Sequence, residues 1–141
     1  MDILRRDLTS NVLAKALDGL ALRAQTITNN VANLDTPNFK ASEVSFEDDL
    51  RAALGRSGDG DLQLLRTDPG HLGTGRPRSV GDVTPAVTRL VATTLRNDGN
   101  NVDVDREMAR LAETQLSFQA ATQLLNVKFR QLREAIWEGK R

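Results

Sequence analysis

Residues 10–34 read SNVLAKALDGLALRAQTITNNVANL, and the spacing of their apolar side chains decides the fold. Leu13, Leu17, Leu20, Ala24, Ile27, Val31 and Leu34 recur at alternating intervals of four and three. That is the repeat of a helix presenting one apolar stripe to another helix. Ser10 offers an acceptor to the first free amides and is the expected N-cap. Pro37 disfavours the helical region at Thr36, so the helix is expected to stop near Asn33.

The same alternation returns over residues 103–138, where Met108, Leu111, Gln115, Phe118, Thr122, Leu125, Phe129, Leu132 and Ile136 share one stripe. Asp103 is the expected N-cap. Asp105 and Glu107 in the first turn, and Lys128, Arg130 and Arg133 toward the other end, suit the helix dipole. The polar interruptions Gln115 and Thr122 cost stability but can fix register or oligomeric state. Antiparallel pairing hides both stripes together, with residues 35–102 as an elaborated connection. Apolar residues remain off the stripes: Val12, Ala16, Ala21 and Leu22 on the first helix, Leu116, Leu124 and Val127 on the second. On so thin a scaffold this surplus predicts contact with other subunits.

Residues 35–102 carry all four prolines and eight of the ten glycines. One short helix is predicted there, with Ser45 as N-cap, Glu47, Asp48 and Asp49 in the first turn, Phe46, Leu50 and Ala53 on one face, and Gly55 as terminator. Residues 55–82 otherwise read as an extended loop. Val87, Val91 and Leu95 alternate with Arg89 and Thr93 ahead of the turn signal Asn97-Asp98-Gly99, leaving room for a small β-hairpin with Val102 and Val104. The expected fold is mainly α. It is an antiparallel coiled-coil hairpin of long N- and C-terminal helices, in one unit, with an irregular middle region holding one short helix.

Composition narrows the function. The chain has 141 residues, 39% of them hydrophobic and 4% aromatic, so it affords one domain with a thin aliphatic core. Nineteen basic residues balance nineteen acidic ones, with −3 in residues 1–70 and +3 in residues 71–141. This argues against electrostatic binding of nucleic acid or an anionic membrane. There is no cysteine, so no disulfide or thiolate chemistry is available. The N-terminal MDILRRDLTSN lacks the apolar core of a Sec signal peptide, and no stretch is long and apolar enough to span a membrane.

No catalytic, metal or cofactor constellation is present. The sole histidine, His71, sits in DPGHLG without a nucleophile elbow or ligand spacing and reads as a loop residue. Asp59, Asp61 and the run from Asn97 to Asp105 invite a calcium reading, but a loop starting at Asp98 has Asp103 where an EF-hand needs Gly and Ala109 where it needs Glu. A turn followed by a capped helix explains those residues better. The triplet Gly73-Thr74-Gly75 lacks the lysine of phosphate-binding loops. Asn29, Asn30 and Asn33 are poor helix formers, readable as a fraying helix end or as amides that bond a neighbouring chain.

The run NNVANLDTPNFKA from Asn29 to Ala41 resembles the signature, close to ANxxTPGYK, that ends the first helix of bacterial flagellar rod, hook and hook-filament junction proteins. Asn30, Ala32, Asn33, Thr36, Pro37 and Lys40 match in place, while Asn38 stands for Gly and Phe39 for Tyr. Asn is the non-glycine residue that best tolerates positive φ, so the turn is expected to survive. The run DGNNVDVDREMA, with Asp98, Gly99, Asn100, Val102 and Asp103, is similar to the proximal rod members of that superfamily. Phe46 and Leu50, Thr67 and His71, and Phe118 with Gln119 extend the likeness along the chain.

The resemblance implies a structural subunit of the flagellar rod, in the periplasm, exported by the flagellar type III apparatus without a cleaved signal. Its implied partners are copies of itself, other rod proteins, and export-gate or ring components at the rod base, with no nucleic acid, small-molecule substrate or cofactor. The terminal helices of such proteins form the inner layer around a central channel. The heptads alone also suit a cytoplasmic coiled-coil adaptor or regulator that binds one helical partner.

Overall fold

The first helix starts ahead of Ser10, because Asp7 caps it. In the computed structural model, which describes residues 7–55, 79–91 and 96–139, the Asp7 carboxylate accepts from the Thr9 amide at 3.2 Å and from the Ser10 hydroxyl at 3.0 Å. A carboxylate suits the positive end of a helix, and Ser10 donates to it instead of capping. Helix α1 therefore spans Leu8–Ala32, and its C-cap is Asn33. Burial pushes the Asp7 carboxyl pKa up. The bonds from Ser10 and Lys128, the Lys128 charge and the Thr9 amide outweigh that and hold it below the usual carboxylate value.

The last helix begins as the sequence predicts. Asp103 accepts from the amides of Asp105 at 3.1 Å and Arg106 at 3.3 Å, and the helix runs over Val104–Glu138. It lies antiparallel to α1. At one end Lys128 Nζ is 3.2 Å from Asp7 Oδ2, and at the other Asn30 Nδ2 donates to Glu107 Oε2 at 2.8 Å. At 1.5 Å per residue the last helix is about 15 Å longer than α1, and its final ten residues continue past Lys128.

Between the two lie strand β1 (Ser42–Ser45), helix α2 (Glu47–Gly55), a single 3-10 turn (Val80–Asp82) and strand β2 (Ala86–Arg89); the C-terminal helix is α3. The strands form one antiparallel ladder, with Ser42 opposite Arg89 and Ser45 opposite Ala86. Two expectations are corrected here. Ser45 closes β1 and does not cap α2, whose Glu47 carboxylate instead accepts from the Phe46 amide at 3.2 Å. The ladder partner of β2 is Ser42–Ser45, not Val102 and Val104; Val102 is buried and Val104 opens α3. Of the loop expected over 55–82, residues 80–82 form the 3-10 turn, and residues 56–78, with Asp59, Asp61, Thr67, His71 and Gly73-Thr74-Gly75, lie outside the described residues.

The core forms where this middle region sits on α1. Leu20, Val44, Phe46, Leu50, Ala53, Val80 and Val83 are buried together, and Val12, Ala16 and Leu22 pack against them. Those three α1 residues, expected to face other subunits, are thus partly covered by the chain's own middle region. The fit depends on Gly19. A Cβ there would come within 2.6 Å of the Phe46 ring, so the ring occupies the notch that the glycine leaves.

Candidate functional site

The two motif segments singled out in the sequence, 29–41 and 98–109, meet at one end of the hairpin. Pro37 and Asn38 are the central residues of a turn closed by the Phe39 amide on the Thr36 carbonyl at 3.3 Å. Asn38 adopts φ +59°, the left-handed backbone that Gly ordinarily supplies at the third position of such a turn. Its amide donates to the Asp98 carbonyl at 2.9 Å. Gly99 follows at φ +82°, with Asn38 Oδ1 lying where a Cβ would point.

Three buried asparagine side chains complete this clasp by standing in for peptide groups. Asn100 Nδ2 donates to the carbonyls of Asn33, Leu34 and Thr36 at 3.0, 2.9 and 2.9 Å, filling acceptors that the end of α1 leaves open. Its Oδ1 accepts from the Val102 amide at 2.7 Å. Asn101 lies between the strand ends: Oδ1 accepts from the Ala41 amide and Nδ2 donates to the Leu90 carbonyl, both at 2.7 Å. The complementary Leu90 amide reaches the Ala41 carbonyl directly at 2.8 Å. Asn30 engages both backbone groups of Ser42, at 2.8 and 2.9 Å.

Asn30 is fully buried and bonded within the chain, which overturns both earlier readings of it as a frayed end or an amide for a neighbour. Asn33 also bonds locally, to the Asn29 carbonyl at 2.9 Å. Asp98 and Asp103 serve as turn and cap: Asp98 Oδ1 accepts from the Asn100 amide at 3.1 Å. Among the described residues no His, Cys, Asp or Glu cluster could hold a metal ion.

Two arginines tie the middle region to the hairpin. Arg110 of α3 reaches Glu43 of β1 at 3.0 Å and Glu107 at 3.5 Å. Arg23 of α1 lies 2.6 Å from Glu47, donates to the Val44 carbonyl at 2.9 Å and stacks 5.0 Å from the Phe46 ring centroid. Burial raises the Glu47 pKa, but the amides of Glu47 and Phe46 and the Arg23 guanidinium leave it lowered on balance.

The predicted stripe residues are placed unequally. Leu20 and Ile27 are buried; Leu13, Leu17, Ala24, Val31 and Leu34 are half-buried. On α3, Leu111, Leu125 and Leu132 are half-buried, while Met108, Phe118, Phe129 and Ile136 are exposed. The buried positions of α3 are Glu107, Thr114 and Ala121, every seventh residue, one place ahead of Met108, Gln115 and Thr122. Of the signature residues, Asn30, Asn100 and Val102 are buried, Ala32, Thr36, Pro37, Asn38 and Asp103 are exposed, and Phe39, Lys40, Asp98 and Gly99 lie between.

Asn101 and Glu107 were not singled out for the roles they play. The only signal for Asn101 was a second amide beside Asn100; Glu107 read as a dipole partner, whereas its carboxylate is buried against Asn30.

A family model for flagella basal body rod proteins matches residues 11–40, most of α1 and the first half of the clasp. The flagellar basal body rod protein FlgB of Bacillus subtilis is 37% identical over 128 residues, covering 91% of this chain and 92% of the relative. The chain belongs to the FlgB family of flagellar basal body rod proteins. FlgB of Borreliella burgdorferi is 39% identical over 106 residues, covering 75% of this chain and 78% of its own. FlgB of Salmonella typhimurium is 29% identical over 139 residues, covering 96% and 97%. The FlgB family is one of structural rod proteins and not of enzymes.

Proposed function

We propose that this chain works as a structural subunit of the flagellar basal body rod, through the surfaces of its two long helices. The observation that carries the reading is the excess of α3 over α1. The overhanging end of α3 leaves Ile136 and Trp137 65% and 77% exposed, and Leu116 and Leu124 also face outward. Within the subunit, Leu13, Leu17, Leu20, Ala24, Ile27, Val31, Leu34, Leu111, Leu125 and Leu132 hold the coiled-coil hairpin. Met108, Phe118, Phe129 and Ile136 turn toward neighbours.

Those neighbours are copies of this chain, other rod proteins, and export-gate or ring components at the rod base. Each subunit offers different surfaces to successive neighbours, and such heterologous contacts build a helical tube, not a closed dimer. Torque then passes through packed helices. The segment of residues 29–41 sets the angle of the subunit. The subunit belongs to the proximal rod in the periplasm, reached through the flagellar export apparatus without a cleaved leader.

The test is a tagged full-length chain in cells lacking their own copy. It should appear in purified basal bodies and restore swimming, and Leu17→Asp, which places a charge between the helices, should abolish swimming while the chain is still made. A chain found only in a soluble cytoplasmic complex would overturn the reading in favour of an adaptor.

A further inference from the structure

We propose that the outer edge of β2 is a strand-addition site for another protein, which lays an extended segment carrying a carboxylate antiparallel along Val87–Arg89. The inference stands apart from the rod reading, because it concerns the middle region and not the surfaces of the long helices.

The two-stranded ladder has two outer edges, and the chain closes only one of them. Leu90 lies opposite Ala41 in the ladder register. Their backbone groups face each other: the Leu90 amide reaches the Ala41 carbonyl directly, and Asn101 bridges the other two groups. In an antiparallel ladder such pairs alternate with pairs whose N–H and C=O point outward. Ala86 with Ser45 and Thr88 with Glu43 therefore face inward, whereas Val87 with Val44 and Arg89 with Ser42 face outward. The β1 side agrees. Asn30 takes both backbone groups of Ser42, and Arg23 takes the Val44 carbonyl. On the β2 side, the backbone groups of Val87 and Arg89 meet no partner among the described residues.

These open groups decide the kind of occupant. Donors and acceptors repeated every second residue along one edge are matched by the backbone of another extended strand, which a helix cannot offer. All four β2 residues are exposed, and Val87 and Val91 are 55% and 70% exposed, so the chain itself does not cover the edge. A second copy is a poor occupant. The outer edge of its β1 is taken by Asn30 and Arg23, and its β2 would bring a second arginine and no carboxylate to the ribbon. Arg89 pairs with no acidic group among the described residues, and it selects a strand with a carboxylate opposite it. Val87 and Val91, two residues to either side, select apolar residues flanking that carboxylate. The occupant is thus a strand of the pattern apolar-x-acidic-x-apolar from a different protein.

The test is amide exchange by NMR on the isotope-labelled full-length chain. Without a partner, the Val87 and Arg89 amides should exchange at least about tenfold faster than the inward Thr88 amide. The probe is the end-blocked peptide Thr-Val-Thr-Glu-Thr-Val-Thr, which sets its acid opposite Arg89 and its valines opposite Val87 and Val91. At millimolar concentration it should slow exchange at Val87 and Arg89 and leave Thr88 unchanged. Lysine in place of the probe's acid, or Arg89→Glu in the chain, should weaken binding roughly fivefold. Val87→Pro removes an outward donor without touching the ladder to β1, so it should abolish protection by the probe while Thr88 stays slow. Four results would overturn the site: Val87 and Arg89 amides as slow as Thr88 in the free chain, their slowing with chain concentration alone through pairing of copies, no protection by the millimolar probe, or equal binding of the lysine peptide.

Discussion

Gly99 and Asn38 oppose each other across the clasp, both in left-handed backbone, and a Cβ on Gly99 would stand 2.5 Å from Asn38 Oδ1. Gly99→Ala therefore adds a conformational penalty to a collision at a site where the Asn38 amide also bonds Asp98. It should destabilise the chain by about 2 kcal/mol or more. Asn38→Gly removes a left-handed asparagine while keeping the turn, and should change stability by less than about 1 kcal/mol. Denaturant unfolding followed by circular dichroism measures both; equal effects of the two substitutions would contradict the steric account.

Asn100 gathers three carbonyls onto one amide nitrogen, so its replacement discriminates hydrogen bonding from packing. Asn100→Ala leaves those acceptors and the Val102 amide without their partner and should cost about 2 to 4 kcal/mol. Asn100→Asp keeps the shape but turns a carboxylate toward three carbonyl oxygens. It should be at least as damaging near pH 7 as the alanine, and milder in acid, where the carboxyl can be protonated. An aspartate variant with wild-type stability at pH 7 would show that the amide donor is not what closes the clasp.

Gly19 inverts the usual helix preference. Alanine in a helix interior is favoured over glycine by about 1 kcal/mol, yet a Cβ here would overlap the Phe46 ring. Gly19→Ala should destabilise the chain by about 1 to 3 kcal/mol through overpacking. Phe46→Leu, which opens a gap in the core, should be less damaging in the Gly19→Ala background than alone. The double-mutant cycle reads this as a coupling of about 1 kcal/mol or more; additive effects would separate the two residues.

The parts of the molecule legible in the sequence are those with a period or a backbone requirement. The alternation from Leu13 to Leu34 and the Asp103 cap locate both long helices, and the glycine that the resembling signature carries where this chain has Asn38 points to that residue's positive φ. The ladder partner of β2 was not legible. It depends on Asn30 and Asn101 side chains that replace peptide groups between distant segments, and such bonds have no spacing rule. The buried line of α3 was hidden for a related reason. Glu107, Thr114 and Ala121 are polar or small, so a count of apolar residues passes over them, although Glu107 is buried against Asn30. Asp7 displaced Ser10 as cap because Lys128, distant in sequence, also holds its carboxylate.

That last contact sets how the chain should respond to acid. The Asp7 and Glu47 carboxyls both titrate below their ordinary values of 3.8 and 4.5. The unfolded chain therefore takes up protons at a higher pH than the folded one, so the stability these groups contribute is complete above about pH 4.5 and is lost as pH falls through the lowered folded values. The melting temperature should change little between pH 7 and 5.5 on their account and fall below pH 4.5. Asp7→Asn and Glu47→Gln should each melt lower than wild type at pH 7 and lose less on going to pH 3.5. Lys128→Met should act like Asp7→Asn, because it removes the ammonium 3.2 Å from that carboxylate. The comparison to make is the difference in melting temperature between pH 7 and pH 3.5. An Asp7→Asn chain with the full wild-type loss would mean that the carboxylate joining the start of α1 to α3 does not contribute to holding the helices together.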